Sequence, residues 1–288
     1  MLNTFFQMLI TGIALGFVYA LIGIEYTIIW NAVGLLNFSH ANIITLGAYV
    51  IAGIFFNRMG LNIGVSFVLG SFVMIIFGYV SALGIFYPLR KKGTIFTAMA
   101  TILFGKIMYE MVRLWYGVEE FTVPGLMSGT FHIGNYTVAK TYVYFILISV
   151  VVVSALQLFL KYTKTGKAMR CVSQNKEAAE LMGIDVRQNI CISVIVSSLI
   201  CMIIGFMIIP LYAVKLTMAN TIGLKGFSAG VVGGFGYLPG CILGGMIVGI
   251  IESLSVLVIP SVYKDVVSFS VLIVFLLIKP GGILGKHA

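Results

Sequence analysis

Few side chains of this 288-residue sequence could take part in chemistry, and the most conspicuous is Glu25, inside the apolar run that opens the chain. A carboxylate in such a place can meet an ammonium group, pair with another polar group or couple to an ion. Hydrogen-bonding side chains then gather between two apolar runs: Asn37, Ser39, His40 and Asn42. They form either a short aqueous loop or the polar lining of a pathway.

Catalysis is not expected from these residues. The chain has only nine acidic residues, and those that an enzyme site would have to use, Glu25, Glu110, Glu252 and Asp265, are far apart in sequence. None of the three Gly-Lys pairs has the upstream glycine and following Ser or Thr of a phosphate-binding loop. The four cysteines and three histidines (His287 among them) show no metal-ligand spacing, so we expect no catalytic residue, no metal and no cofactor.

The composition indicates which elements must position the polar groups. Apolar residues make up 60% of the chain and charged residues only 9%, against about 25% in a soluble domain. Most of the uncharged runs are long enough for a helix to cross a bilayer, which needs roughly 20 apolar residues. The sequence therefore predicts an all-α, polytopic helical membrane protein whose single transmembrane domain fills 1–288. The predicted spans are 5–30, 41–57, 64–87, 94–117, 141–160, 190–214, one region within 227–259, and 266–279.

The net charge of +9 reflects membrane topology rather than nucleic-acid binding. Basic residues concentrate in the connections 88–93 and 161–189 and near the C-terminus, up to Lys286, as expected of cytoplasmic loops. The connection 118–140 carries two glutamates and one lysine, which places it outside. A C-terminus on the inside then requires the region 227–259 to enter the membrane and return. Pro239-Gly240 is a natural break, so we predict two short or broken helices; one Pro-kinked helix is the alternative.

A weak internal repeat accompanies the predicted break. GLLNFSH at 34–40 aligns with GLKGFSA at 223–229, and Ser39 then corresponds to Ser228. If the repeat is real, the chain consists of two related halves, and Ser228 joins the residues expected to line a pathway. Inverted and parallel arrangements of the halves both stay open.

The longest polar connection, 163–189, has the form of a docking element. We predict a short helix over 176–182, with Asn175 as N-cap, Glu177 in the first turn and Gly183 just beyond the end. Its small face, Ala178 and Ala179, would let another backbone approach. A solvated loop helix is the plain alternative.

These segments resemble a known family. The string from Gly166 to Ile184, with GKAMR followed by EAAELMGI, is similar to the coupling loop of permeases from ATP-binding-cassette (ABC) importers. The strings at 19–50 and 223–253 resemble the Liv-type permeases of branched-chain amino acid importers. Three blocks in the right order cover nearly the whole chain. The resemblance implies a membrane-spanning permease subunit in a bacterial or archaeal cytoplasmic membrane.

The resemblance also implies partners and residue roles. Two cytoplasmic ABC ATPase subunits, a second permease (the same or a sister chain) and an extracytoplasmic solute-binding protein are expected, with the lipid bilayer around them. The loop would meet the ATPase at a set of matching residues: Gly166, Arg170, Glu177, Ala178, Ala179 and Gly183. The chain departs from the family pattern at Glu25 and at Ala41-Asn42. Nucleosides, urea-type solutes and sugars therefore stay open as substrates, and so does a self-sufficient, ion-coupled secondary transporter.

Three interpretations of Glu25 remain. It meets the ammonium group of an amino-acid substrate, it pairs with a polar group such as Asn31 or with the adjacent permease, or it is solvated near the outer interface.

Overall fold

The computed structural model describes residues 2–90, 92–133, 136–279 and 281–285, so Lys91, Lys286 and His287 lie outside the described residues. The fold is helical almost throughout. The helices are, in chain order, α1 (Leu2–Val33), α2 (His40–Ala48), α3 (Ile63–Ser81), α4 (Tyr87–Leu89), α5 (Thr94–Tyr116), α6 (Lys140–Tyr162), α7 (Lys164–Gln174), α8 (Lys176–Leu181), α9 (Val186–Ile208), α10 (Asn220–Gly233), α11 (Leu238–Ser255) and α12 (Lys264–Ile278). A π-helical segment, Tyr49–Arg58, continues α2; a second, Ala82–Phe86, joins α3 to α4; and a 3-10 turn, Ser261–Tyr263, leads into α12.

Eight helical segments in the described chain are long and apolar enough to cross a membrane, which confirms the predicted all-α polytopic fold. A helix suits these runs because it satisfies every backbone polar group internally where no water is available. The segments are Thr4–Val33, His40–Arg58, Ile63–Leu89, Thr94–Tyr116, Lys140–Tyr162, Val186–Ile208, Leu238–Ser255 and Ser261–Ile278.

The chain divides into two compact units. The first unit comprises Met1–Thr27, Pro124–Val153 and Thr221–Ala288, and the second comprises Ile28–Val123 and Ser154–Asn220. The single domain expected over 1–288 stays a prediction.

In the second unit, α9 packs against α2 and α3 through glycines that bring backbones together. A Cβ atom placed on Gly205 would lie 2.5 Å from the carbonyl oxygen of Ile44. A Cβ on Gly47 would lie 2.7 Å from the Cα of Met202. Because apolar side chains gain little from one another in lipid, such close packing of small residues is how membrane helices hold together.

In the first unit, glycines serve the same purpose between α1 and α11. A Cβ on Gly249 would lie 2.5 Å from the carbonyl oxygen of Gly12, and one on Gly245 would lie 2.5 Å from that of Gly16. These contacts recur at four-residue spacing on both helices, so one face of α1 lies along one face of α11.

The region 227–259 is broken, as predicted, and the single Pro-kinked helix is wrong. Helix α10 ends at Gly233, and Pro239 sits in the first turn of α11, where a missing N–H costs no helical hydrogen bond. After α12 the chain returns to this break: Ile283 N–H donates to the Val232 carbonyl at 2.9 Å. The break thus lies beside residues 281–285, while the entry of this segment into the membrane and its return stay a prediction.

A short hairpin in the first unit was not foreseen. Strands β1 (Thr130–Ile133) and β2 (Tyr136–Ala139) pair antiparallel, with Thr130 opposite Ala139. They lie in the connection that the charge pattern places outside, where the sequence predicted only a loop.

The two strings of the predicted repeat differ in local structure. Residues 34–39 form an irregular turn between α1 and α2, whereas 223–229 lie within α10. The division into two related halves therefore stays a prediction.

Candidate functional site

The polar residues between α1 and α2 form a compact buried turn in the second unit. Asn37, Ser39 and His40 are all buried, so the interpretation as an aqueous loop is wrong. The Asn37 Oδ1 atom accepts two hydrogen bonds from Ser39, one from its backbone N–H at 3.1 Å and one from its hydroxyl at 2.5 Å. A polar turn at this depth is tolerated only where protein or a water-filled cavity satisfies it.

Helix α5 supplies a second wall for this turn that sequence reasoning missed. The backbone N–H of Phe38 donates to Thr101 Oγ1 at 3.3 Å. A Cβ on Gly105 would lie only 2.7 Å from Asn42 Nδ2 and 3.1 Å from the Cα of Ser39. Gly105 therefore lets α5 reach the polar turn. The one available signal was the small and hydroxylated residues in the first half of this helix.

One hydrogen-bond donor of the polar turn has no acceptor within the described structure. The Nδ2 atom of Asn37 is buried and has no hydrogen-bond partner among the residues that the structure describes. Burying an unpaired amide donor costs about 1–3 kcal/mol, which a bound solute or water would relieve.

Glu25 and Ser228 lie in the first unit, on helices that pack against each other. A Cβ on Gly23 of α1 would lie 3.1 Å from the backbone nitrogen of Gly230 in α10. Both Glu25 and Ser228 are fully buried, which makes the solvated interpretation of Glu25 wrong. The Ser228 hydroxyl has no hydrogen-bond partner in the described part of the chain.

A buried cluster of charges at the start of α10 was missed by the sequence analysis. Lys225 Nζ lies 2.7 Å from Glu252 Oε1 and 2.6 Å from Asp265 Oδ1. Glu252 Oε2 also accepts hydrogen bonds from Tyr19 at 3.0 Å and Ser268 at 2.8 Å. Acids far apart in sequence thus meet on one lysine, and the cluster ties α1, α10, α11 and α12 together. The signal was a lone lysine in a glycine-rich apolar run.

The connection 163–189 contains the predicted short helix. Helix α8 begins after Asn175, whose side-chain oxygen accepts from the backbone N–H of Ala178 at 3.0 Å. It ends before Gly183, whose φ of +81° is the left-handed conformation that glycine adopts readily. Helix α7 precedes α8 and was not predicted; it is capped by Thr163, whose hydroxyl accepts from Gly166 N–H at 2.9 Å.

The chain's own core anchors this connection. Ala179 is buried in an apolar cluster with Val172 of α7 and Ile190 of α9. The expected small face is therefore only half available to a partner, because Ala178 is exposed and Ala179 is not. Gly166 fits where α7 folds back on α6: a Cβ there would clash with the carbonyl of Phe159.

The opposite side of α8 faces outward with large apolar side chains. Leu181 is 89% exposed and Met182 is 83% exposed, and the charged side chains of Glu177 and Arg170 are exposed as well. A shallow polar depression of about 320 Å³ lies beside them, lined in part by Glu180, Gly183 and Arg187.

Lys176, the first residue of α8, connects this loop to α1. Its Nζ donates to the carbonyl oxygen of Val33, the last residue of α1, at 2.6 Å. A cation at this position also complements the negative end of the helix dipole. Burial lowers the pKa of Lys176 below its ordinary 10.5, and the nearby Arg90 cation lowers it further.

The sequence as a whole matches a family described as "Branched-chain amino acid transport system / permease component" over residues 8–276. The chain belongs to this family. The family accounts for the multi-pass membrane architecture, and its members are transport components. No solved structure matches the chain.

Relatives match over nearly their whole length. The chain is 30% identical to the high-affinity branched-chain amino acid transport system permease protein LivH of Escherichia coli K12, covering 98% of this chain and 96% of LivH. It is 29% identical to the permease protein BraD of Pseudomonas aeruginosa, with the same coverage. A probable LivH of Methanocaldococcus jannaschii is 26% identical, over 92% of this chain and 88% of that protein.

Proposed function

We propose that this chain is the permease subunit of an ABC importer and carries branched-chain amino acids through a bacterial or archaeal cytoplasmic membrane. The single observation that carries the proposal is the form of the connection 163–189. One side of α8 is fixed in the protein core through Ala179, while Leu181 and Met182 project from the other side. A short helix that is rigidly held and exposes large apolar residues suits a groove in a partner protein.

The partner on this side is a pair of ABC ATPase subunits. Arg170 of α7, Glu177 and Ala178 of α8, and Gly183 just beyond α8 are all exposed and would meet the ATPase. Ala179 and Gly166 act from within the permease, because they hold α8 and α7 in place. A second permease, either the same or a sister chain, and an extracytoplasmic solute-binding protein complete the importer.

The predicted polar residues are the groups that would hydrogen-bond the solute within each unit. They are Asn37, Ser39, His40 and Asn42 in the second unit, and Glu25 and Ser228 in the first. The unpaired Asn37 Nδ2 is the strongest single support, because a passing carboxylate or amide would satisfy it. The permease makes and breaks no covalent bond in the solute.

Transport proceeds by alternating access. Closure of the ATPase subunits displaces α8, and the Lys176–Val33 hydrogen bond passes that displacement to the end of α1. Because α1 leads directly into the polar turn, a shift at its end changes access to Asn37 and Ser39. Helices that pack on glycines can slide past one another, since no large side chain interlocks them.

The test is ATP-driven uptake by the reconstituted importer with α8 altered. Leu181→Asp together with Met182→Asp should abolish both co-purification of the ATPase and leucine uptake, because two charges would enter an apolar groove. The control is Val258→Asp, a change of similar exposure in the connection after α11, outside the membrane-spanning segments. It should leave ATPase co-purification intact.

Competition between solutes for uptake identifies the class of substrate. Excess leucine, isoleucine or valine should block uptake of labelled leucine, whereas a nucleoside, urea or a sugar should not. Leucine accumulation on an ion gradient without ATPase subunits would instead establish a secondary transporter and refute the proposal.

A further inference from the structure

A cavity of about 320 Å³ lies in the second unit, away from the polar turn and from α8. It opens between the π-helical segment Tyr49–Arg58 and the last turns of α5. Ligand pockets in proteins run from about 300 to 1,000 Å³, so the cavity suits a small solute. Half of its eight lining residues are aliphatic: Leu46, Val50, Ile54 and Val112.

Arg58 provides a cation at the rim of this cavity. Its guanidinium lies 4.6 Å from the centre of the Tyr116 ring, and among the described residues no carboxylate lies within ion-pair distance of it. A guanidinium matches a carboxylate with two parallel N–H···O hydrogen bonds. Its donors are therefore available to an anionic ligand.

Tyr49 provides a polar group deeper in the cavity. Its side chain is only 2% exposed, and its hydroxyl has no hydrogen-bond partner among the residues described. The Tyr49 ring meets the same Tyr116 ring edge-on, at 5.2 Å between centroids. Because Arg58 and Tyr49 both contact Tyr116, one small solute can reach both.

The surrounding structure fixes the Tyr116 ring in place. A Cβ on Gly53 would lie 2.8 Å from the ring, so only glycine lets the ring pack on the backbone here. Asn57 Nδ2 donates to the Tyr116 hydroxyl at 2.7 Å. The segment that carries Tyr49, Gly53 and Arg58 is π-helical, a conformation that occurs frequently at functional sites.

We propose that this cavity is a binding subsite for a small aliphatic α-amino acid. Arg58 pairs with the carboxylate of the solute, and the Tyr49 hydroxyl accepts a hydrogen bond from its ammonium group. The aliphatic walls hold the branched side chain. The inference deepens the proposed function and rests on it, because it names where such a solute first meets the permease.

The cavity lies where an imported solute would first contact the permease. Basic connections at 88–93 and 161–189 place the start of α5 inside, so its last turns and Arg58 lie at the outer end. A solute released outside would meet this cavity before it reaches the polar turn.

Tryptophan fluorescence can test binding directly. The chain has two tryptophans, and Trp115 lines the cavity. A Trp30→Phe variant of the full chain, assembled with its partners in nanodiscs, leaves Trp115 as the only tryptophan of the permease. The same complex with Trp115→Phe added has no tryptophan in the permease. Subtracting its fluorescence change on adding leucine removes the signal of the partner proteins. Leucine should change the Trp115 signal saturably, and leucinamide, which lacks the carboxylate, should not.

Two variants assign the contacts. Arg58→Gln should weaken leucine binding about tenfold to a hundredfold, because a charge-assisted hydrogen bond is lost, and Tyr49→Phe about twofold to tenfold. Arg113→Gln is the matched control: Arg113 is on the same helix as Trp115 but pairs with Glu110 at 3.0 Å. It should bind leucine as the parent does.

Several outcomes would overturn the inference. The inference is wrong if leucine gives no saturable Trp115 response, if leucinamide gives an equal response, or if Arg58→Gln leaves the affinity for leucine unchanged. It is also wrong if the Trp115 signal changes with the anionic lipid content of the nanodisc but not with leucine. Uptake by the complete importer separates this failure from that of the proposed function. If ATP drives leucine uptake but leucine leaves Trp115 unaffected, only the subsite is wrong; if no ATP-driven uptake of amino acids occurs, the proposed function is wrong.

Discussion

Lys176 is the residue through which the coupling loop should act on the transmembrane helices. Its ammonium group donates to the carbonyl of Val33 at the end of α1, over 2.6 Å. Replacement by methionine keeps the aliphatic stem and its packing but removes the donor. Lys176→Met should therefore leave the ATPase docked to the permease while it weakens the link from α8 to α1.

The size of the effect of Lys176→Met follows from the strength of the Lys176–Val33 hydrogen bond. A hydrogen bond from a charged donor contributes about 1.5–3 kcal/mol. Lys176 is only partly buried, and both burial and Arg90 disfavour its ammonium form, so we expect about 1–1.5 kcal/mol here. That free energy changes an equilibrium about fivefold to tenfold. We expect leucine uptake to fall by this factor while ATP hydrolysis persists.

The assay measures leucine transported per ATP hydrolysed in proteoliposomes that contain the complete importer. Lys167→Met is the control, since Lys167 is exposed in the same loop and its loss makes the same change in charge. Lys176→Arg keeps a donor and should recover part of the ratio. An unchanged ratio in Lys176→Met would refute this route of transmission, and so would an equal loss in Lys167→Met.

Three further predictions concern the packing of α8, the polar turn and the Lys225 charge cluster. Ala179→Asp should lower the free energy of unfolding by at least about 3 kcal/mol, seen as a lower melting temperature, because it buries an unpaired charge; Ala178→Asp should leave melting unchanged and reduce ATPase co-purification. Equal melting of the two would contradict the packing of α8. Gly105→Ala should cost about 1–3 kcal/mol, since the new methyl group overlaps the polar turn, and uptake should fall; full uptake would remove that turn from the pathway. Lys225→Met should cost about 3–5 kcal/mol by leaving the buried Glu252 carboxylate without its cation, and adding Glu252→Gln should restore part of the melting temperature. No recovery in the double variant would show that the two residues do not act as a pair.

Much of the fold follows from local properties of the sequence. Long apolar runs with few charges predicted the spans, because length and polarity decide which helices can cross a membrane. The short helix α8 was predicted with its cap at Asn175 and its end at Gly183, because both signals act within one turn. The break at Pro239 was predicted for the same reason, with the parity of the loops in support.

The contacts that position the candidate site depend on residues distant in sequence. Nothing near Lys225 indicates that Glu252 and Asp265 surround it, since helix packing brings them together. The direction of Ala179 was also open, because a six-residue helix can turn either side to the core. Hairpin β1–β2 and the π-helical segment carry no distinctive local pattern.

The most direct test of the whole account is leucine accumulation in sealed proteoliposomes, measured with ATP inside, with ADP inside, and with an ion gradient alone. The permease, its ATPase subunits and the binding protein should concentrate leucine only with ATP, and Leu181→Asp with Met182→Asp should abolish it. Concentration of leucine by the permease alone on an ion gradient would contradict the account.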